Sequence, residues 1–245
     1  MDAMGTSGTD DEKEFATGDA RTGAGVQRFR DAREAGRLLA SELMKHEGLD
    51  YVLILALASG GVEVAAEVAT RLGAPLDVVL MRRLFAPHGA GDPVCAFSVG
   101  GRPFLDEGVP PRADAPASAV EFFLTDALDE LARRERECRG ERAPVELARR
   151  TVLLVDNGVR TGSTMRAAAR ALRASKPGRI VAAAPFASPE SLEGVEAVVD
   201  EFVCLACPHP FGHVGVWYEN FERPDDARIR DLLEEAARGL RRRVS

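Results

Sequence analysis

The chain has 245 residues, 45% of them hydrophobic and 29% charged, enough apolar material for one large core or two small ones. A net charge of -7 excludes a nucleic-acid binder that depends on a surplus of Lys and Arg, but one local pocket of opposite sign can still serve a small anion. Cys95, Cys138, Cys204 and Cys207 are too few and too scattered for a disulfide framework, so a reducing cytoplasm is the expected compartment. No apolar run predicts a membrane span, and no basic start followed by an apolar stretch predicts a secretory leader.

Residues 1–25, rich in Gly, Thr, Asp and Ala, read as a disordered tail, and the folded domain is expected over 26–245. From Phe29 to His46 the pattern is helical: Asp31 with Glu34 resembles a capping box, and Leu38, Leu39, Leu43 and Met44 share a face. YVLILAL at 51–57 is too short and too apolar for anything but a buried strand, and it runs into the loop Ala58, Ser59, Gly60, Gly61. VEVAAEVATRL then reads as a helix closed by Gly73, and PLDVVLM as a second buried strand, which together make a right-handed βαβ unit in a parallel sheet.

Residues 83–112 are rich in Gly and Pro, with AFSV as a short strand inside them, and read as a flexible functional loop. An inserted helix over 115–140 follows, with Val120, Phe123, Leu124, Ala127, Leu128 and Leu131 at helical spacing as a packing face. After VLLV at 152–155 come a helix in MRAAARALRAS, strands in RIVAAAPFA and EFVCLA, and a closing helix over 225–243, acidic at its start and basic at its end. Such alternation predicts a doubly wound α/β fold, in which ligands bind at the carboxyl ends of the strands.

One strand end carries concentrated polar chemistry. VLLV is followed by Asp156 and Asn157, and then by a loop containing Gly158, Thr161, Gly162, Ser163 and Thr164 that opens a helix. Backbone N–H groups, hydroxyls and a helix N-terminus make an anion site, most naturally for a phosphate. An ionised Asp accepts hydrogen bonds only, so its partner is a hydroxyl or a metal-bound water, and a ligand with hydroxyls at one end and phosphate at the other suggests a ribose 5-phosphate. An ordinary turn capped by Thr161 and Ser163 is the plain alternative. The loop lacks the Lys of a Walker A motif, and no G-x-G-x-x-G follows a strand.

VLLVDNGVRTGST resembles the phosphoribosyl-diphosphate (PRPP) signature of type I phosphoribosyltransferases. LALASGGVEVAAEVA is similar to the family's pyrophosphate loop and its helix, DVVLMRRLFAPHG to the strand that carries basic residues into a flexible catalytic loop, and VGVWYENF to the tail of a bacterial branch of the family. The resemblance implies a Rossmann-like parallel sheet flanked by helices, with a small hood built from the chain termini and the middle helix. It implies that Asp156 holds the ribose hydroxyls with Asn157 beside it, and that Gly158, Val159, Arg160, Thr161, Gly162, Ser163 and Thr164 wrap the 5-phosphate. Ser59 and Gly60 would donate to the pyrophosphate, and Arg82 and Arg83 would neutralise its charge. The implied partners are PRPP and a nucleobase-like acceptor. Mg²⁺ would arrive with PRPP rather than on protein ligands, the implied reaction is glycosyl transfer in nucleotide metabolism, and homodimers are common in the family. Asn157 stands where the pattern has a second acid, Ser59 where relatives of the branch often have Arg, and Arg160 where the spacer is commonly small. The alternative is therefore a degenerate protein that binds PRPP or a nucleotide without turnover.

Cys204, Cys207, His209 and His213 give C-x-x-C-x-H-x-x-x-H, four residue types that ligate zinc and the sole basis for a zinc-stabilised interaction module. The strand position of Cys204 and the stiffness of Pro208 and Pro210 weigh against it. A redox Cys-x-x-Cys normally opens a helix, and no helical pattern follows Cys207. Trp217 and Tyr218 read either as a stacking face for a base or as anchors of the hood. His88 reads as a loop residue and Arg241, Arg242 and Arg243 as a solvated helix end.

Overall fold

The structure, a computed structural model, describes residues 28–47, 51–58, 60–85, 94–99, 102–105, 117–143 and 145–244. The expected tail and much of 83–112 lie outside them. Five parallel strands, β1 (Val52–Leu57), β2 (Leu76–Phe85), β5 (Thr151–Val155), β6 (Arg179–Phe186) and β7 (Glu201–Ala206), form the centre of the sheet. Two further strands, β3 (Val94–Val99) and β4 (Arg102–Leu105), extend it antiparallel from β2, giving the order β4-β3-β2-β1-β5-β6-β7. The antiparallel arm, which holds AFSV, is the one departure from the parallel sheet expected.

The continuous apolar runs are explained by burial on both faces. Val52, Ile54 and Ala56 of β1 point to one core, while Leu53, Leu55 and Leu57 point to the other, as the two-residue strand period requires. The first core is closed by α1 (Ala32–Glu42), α2 (Val62–Leu72), α3 (Ala117–Arg139) and α6 (Asp226–Val244), and the second by α4 (Ser163–Arg173) and α5 (Pro189–Glu196). The caps agree with the sequence. Asp31 accepts from the Glu34 N–H at 2.8 Å, and Gly73 ends α2 at φ 63°, a left-handed geometry that glycine adopts without strain. No helix among the described residues is long and apolar enough to cross a membrane.

The long helix α3 is fixed by buried charge. Arg139 donates to Asp77 of β2 at 2.6 Å and to Glu135 at 2.7 Å, and Glu135 also accepts from Ser98 of β3. The N-terminal and C-terminal segments are joined elsewhere, through an aromatic knot of Phe29, Phe186, Phe211, Trp217 and Tyr218. Phe29 N–H donates to the Trp217 carbonyl at 3.0 Å, and Glu219 N–H to the Phe29 carbonyl at 2.8 Å. The two segments thus form the hood expected from them, whereas α3 packs on β2, β3 and α6.

Candidate active site

The carboxyl ends of β1 and β5 face a cleft of about 470 Å³. On one side, β1 turns sharply into α2. A Cβ on Gly61 would lie 2.4 Å from the Val155 carbonyl oxygen, so only glycine lets the two loops approach this closely. On the other side, Asp156 directly follows β5, its N–H bonded to the Ala183 carbonyl at 3.1 Å and its Oδ1 accepting from Asn157 N–H at 2.8 Å. Burial pushes this carboxyl up to about 7, against the opposing pull of the Asn157 N–H and the Arg223 guanidinium. Burial thus works against the ionised form expected from the sequence, which a facing cation or ligand would favour.

Asn157 is buried, and its side chain stands against Gly60: a Cβ there would meet Nδ2 at 2.7 Å. Its carbonyl accepts from the Tyr218 hydroxyl at 2.6 Å, which ties the cleft to the aromatic knot. Burial, with the neighbouring Asp156 charge, holds the Tyr218 phenol well above its ordinary range. Gly158 faces Val214, whose Cγ1 would lie 2.9 Å from an added Cβ.

The rest of the loop is moored to β6 and α5. Val159 is buried in the second core, donates its N–H to the Phe186 carbonyl at 2.8 Å, and accepts from Ser188 N–H at 2.8 Å. Its N–H is thereby committed to the sheet rather than to a ligand. The Arg160 carbonyl accepts from Ser188 Oγ at 2.5 Å, while the Arg160 side chain is exposed. Thr161 and Ser163 hydroxyls lie 3.0 Å apart, and Arg166 holds the Thr161 carbonyl at 2.8 Å. Gly162, at φ 71°, turns the chain into α4 without a side-chain cap, and the first-turn N–H groups of Thr164 and Met165, two residues that line the cleft, have no acceptor within the helix.

Gly60, Asp156, Asn157, Gly158, Val159, Arg160, Thr161, Gly162, Ser163 and Thr164 all line this cleft. Arg82 does not. Its guanidinium binds the Asp126 carboxylate at 2.9 Å, in a second hollow beneath α3. The Arg83 side chain, Ser59 and His88 lie outside the described residues. Sequence reading missed Arg134, which forks onto Asp226 at 2.6 and 2.9 Å, and Arg223 with its neighbours Val214 and Phe221. Among the described lining residues Asp156 is the one carboxylate, against the guanidiniums of Arg160, Arg223 and Arg134, the last paired with Asp226, so the described lining is positive within a chain of net charge -7.

Trp217 and Tyr218 serve as anchors. Tyr218 is 1% exposed, and Trp217 donates Nε1–H to the Phe211 carbonyl at 2.8 Å while packing on Phe186. The four zinc-ligand types do not converge. Exposed His209 pairs with Glu190 at 3.3 Å, His213 is exposed, and no group of three or more His, Cys, Asp or Glu able to hold a metal exists among the described residues.

The profile of the phosphoribosyl transferase domain matches residues 113–220. A Mycobacterium tuberculosis protein named "Putative phosphoribosyl transferase", found in two strains, is 35% identical over 210 residues, 86% of this chain. The chain spans about half the length of these curated relatives, 47%. The crystal structure of TT1426 from Thermus thermophilus is 39% identical and superposes with a TM-score of 0.71, covering 85% of this chain and 99% of that one. The chain belongs to the type I phosphoribosyltransferase family.

Proposed function

We propose that the chain transfers a phosphoribosyl group from PRPP to a nitrogenous base and releases pyrophosphate. The observation that carries this reading is the meeting of Asp156 with the open N-terminus of α4 across one positive cleft. Hydroxyls of a ribose would be accepted by Asp156, and a 5-phosphate would be received by the loop of Thr161 to Thr164 through N–H groups and hydroxyls. Gly60 and the N-terminus of α2 border the opposite wall, where the pyrophosphate end would lie. The C1–oxygen bond breaks with its electron pair leaving on pyrophosphate, the C1–nitrogen bond forms, and the proton lost by the base goes to solvent. The ionised form of Asp156 would stabilise the oxocarbenium-like charge, and fixed N–H dipoles the negative charge on the phosphate and the departing pyrophosphate.

Mg²⁺ fits as part of the substrate. With one carboxylate among the described lining residues, these residues form no metal cage of their own, but they suit an ion already held by phosphates, which Asp156 could reach through water. The bound ion would neutralise charge on the departing pyrophosphate. This reading places the protein's work in the cytoplasm, with two small-molecule partners.

A second reading is binding without turnover. It is favoured by Asn157, whose side chain fills the space beside Gly60 where a second acid is expected, and by the tie of Arg82 to Asp126. Pyrophosphate release from Mg²⁺–PRPP with a panel of purine and pyrimidine bases separates the two. Release dependent on one base class supports transfer, and tight PRPP binding with no release supports the second reading.

A further inference from the structure

Cys204 lies within β7 and Cys207 just beyond its end, with their sulfurs 3.0 Å apart as thiols. Cys204 is partly exposed and Cys207 is buried. A disulfide holds its sulfurs about 2.05 Å apart, so an approach of about 1 Å would close this pair. The site is also wired to the phosphate loop. The Cys204 thiol points to the Ala206 carbonyl at 3.7 Å, and that carbonyl accepts from Ala187 N–H at 3.1 Å. Ala187 bridges Val159, the next residue donates both N–H to Val159 and Oγ–H to Arg160, and Cys207 packs in the same apolar cluster as Ala187 and Val159.

We propose that Cys204 and Cys207 form a reversible dithiol–disulfide site whose closure by a small-molecule disulfide disturbs the loop at 158–164. The partly exposed Cys204, as its thiolate, attacks one sulfur of the oxidant and expels a thiolate, leaving a mixed disulfide. The Cys207 thiolate then attacks Cys204 Sγ, forms the internal bond and expels the second thiolate. Two electrons pass from the cysteines to the oxidant, and the two cysteine protons end on the two released thiols. Closure withdraws the Cys204 S–H from the Ala206 carbonyl and draws the end of β7 toward Cys207. That strain reaches the loop through Ala187 and Ser188. An effect on phosphoribosyl transfer rests on the proposed function, whereas the closure itself does not.

The test treats the full chain with oxidised glutathione, followed by acid quench, peptide mapping and hydrogen exchange. The expected result is loss of two hydrogens in the peptide joining Cys204 to Cys207, with faster amide exchange over 158–164 that reverts on reduction. The Cys204→Ala/Cys207→Ala double variant should show no oxidant response in that loop. A glutathione adduct that persists on Cys204, no reaction where a reference dithiol oxidises, or closure with unchanged exchange at 158–164 would each overturn the proposal. A chain that closes and shifts its loop yet never binds PRPP would uphold it and count against the phosphoribosyl reading.

Discussion

Asp156→Asn should stabilise the fold while abolishing ligand binding. In the ligand-free protein the Asp156 carboxyl sits at about 7, against 3.8 for the ordinary group. A raised carboxyl means that the native state keeps a proton the unfolded chain has released. Stability therefore falls as pH rises from about 4 to about 7 and levels off above that. At 1.36 kcal/mol per unit, the full cost at pH 8 is about 4 kcal/mol, and partial solvent access reduces it toward about 2 kcal/mol. Asn keeps the shape and still accepts from the Asn157 N–H, but carries no charge to desolvate. Urea denaturation of both proteins at pH 4 and pH 8 measures the difference. We expect near-equality at pH 4 and a variant more stable by about 2 to 4 kcal/mol at pH 8. A variant no more stable at pH 8 than at pH 4, relative to wild type, would show that burial does not strain this carboxylate.

Four other outcomes follow from named contacts. Arg223→Gln removes the guanidinium that opposes burial at Asp156, so the carboxyl should titrate above 7, as a carbon-detected NMR titration would show; an unchanged midpoint would remove Arg223 from the cleft's electrostatics. Tyr218→Phe leaves the Asn157 carbonyl without its donor and should cost about 1 to 3 kcal/mol in denaturant unfolding, with a loss under about 0.5 kcal/mol refuting the tie. Gly60→Ala drives a methyl against Asn157 and should weaken PRPP binding by about tenfold or more, about 1.4 kcal/mol, in calorimetry; equal affinity would mean that the two loops need not stay in register. Arg139→Met strands Asp77 and Glu135 and should cost about 3 to 5 kcal/mol, most of it regained when both acids are also replaced by Leu. Failure of that rescue would place the stabilisation elsewhere.

The elements legible in the sequence were those whose signal is local. β1 and β5 showed as short apolar runs because both of their faces are buried, and α1 and α2 through their caps. The helix α5 passed unread although Ser188 and Pro189 form an N-terminal signature, because it is short and buries only Ser191 and Val195. The β3–β4 arm was largely hidden by its Gly and Pro content. Within the cleft, the position of Asp156 was legible and its protonation was not, since that depends on surrounding groups such as Arg223 that are distant in sequence. Arg82 illustrates the same limit. A basic residue at a strand end was visible, but its turn toward Asp126 depends on where α3 packs. Arg134 and Arg223 reach the cleft from α3 and from the segment before α6, and no spacing links either to the loop they face.

The most direct test of the central claim is calorimetric titration of Mg²⁺–PRPP into the wild-type protein and into Asp156→Asn. Binding by the wild type and none by the variant, itself at least as stable, is the predicted result, because lost affinity could not then be assigned to unfolding. Equal binding by both, or by neither, would contradict the assignment of this cleft as a ribose-phosphate site.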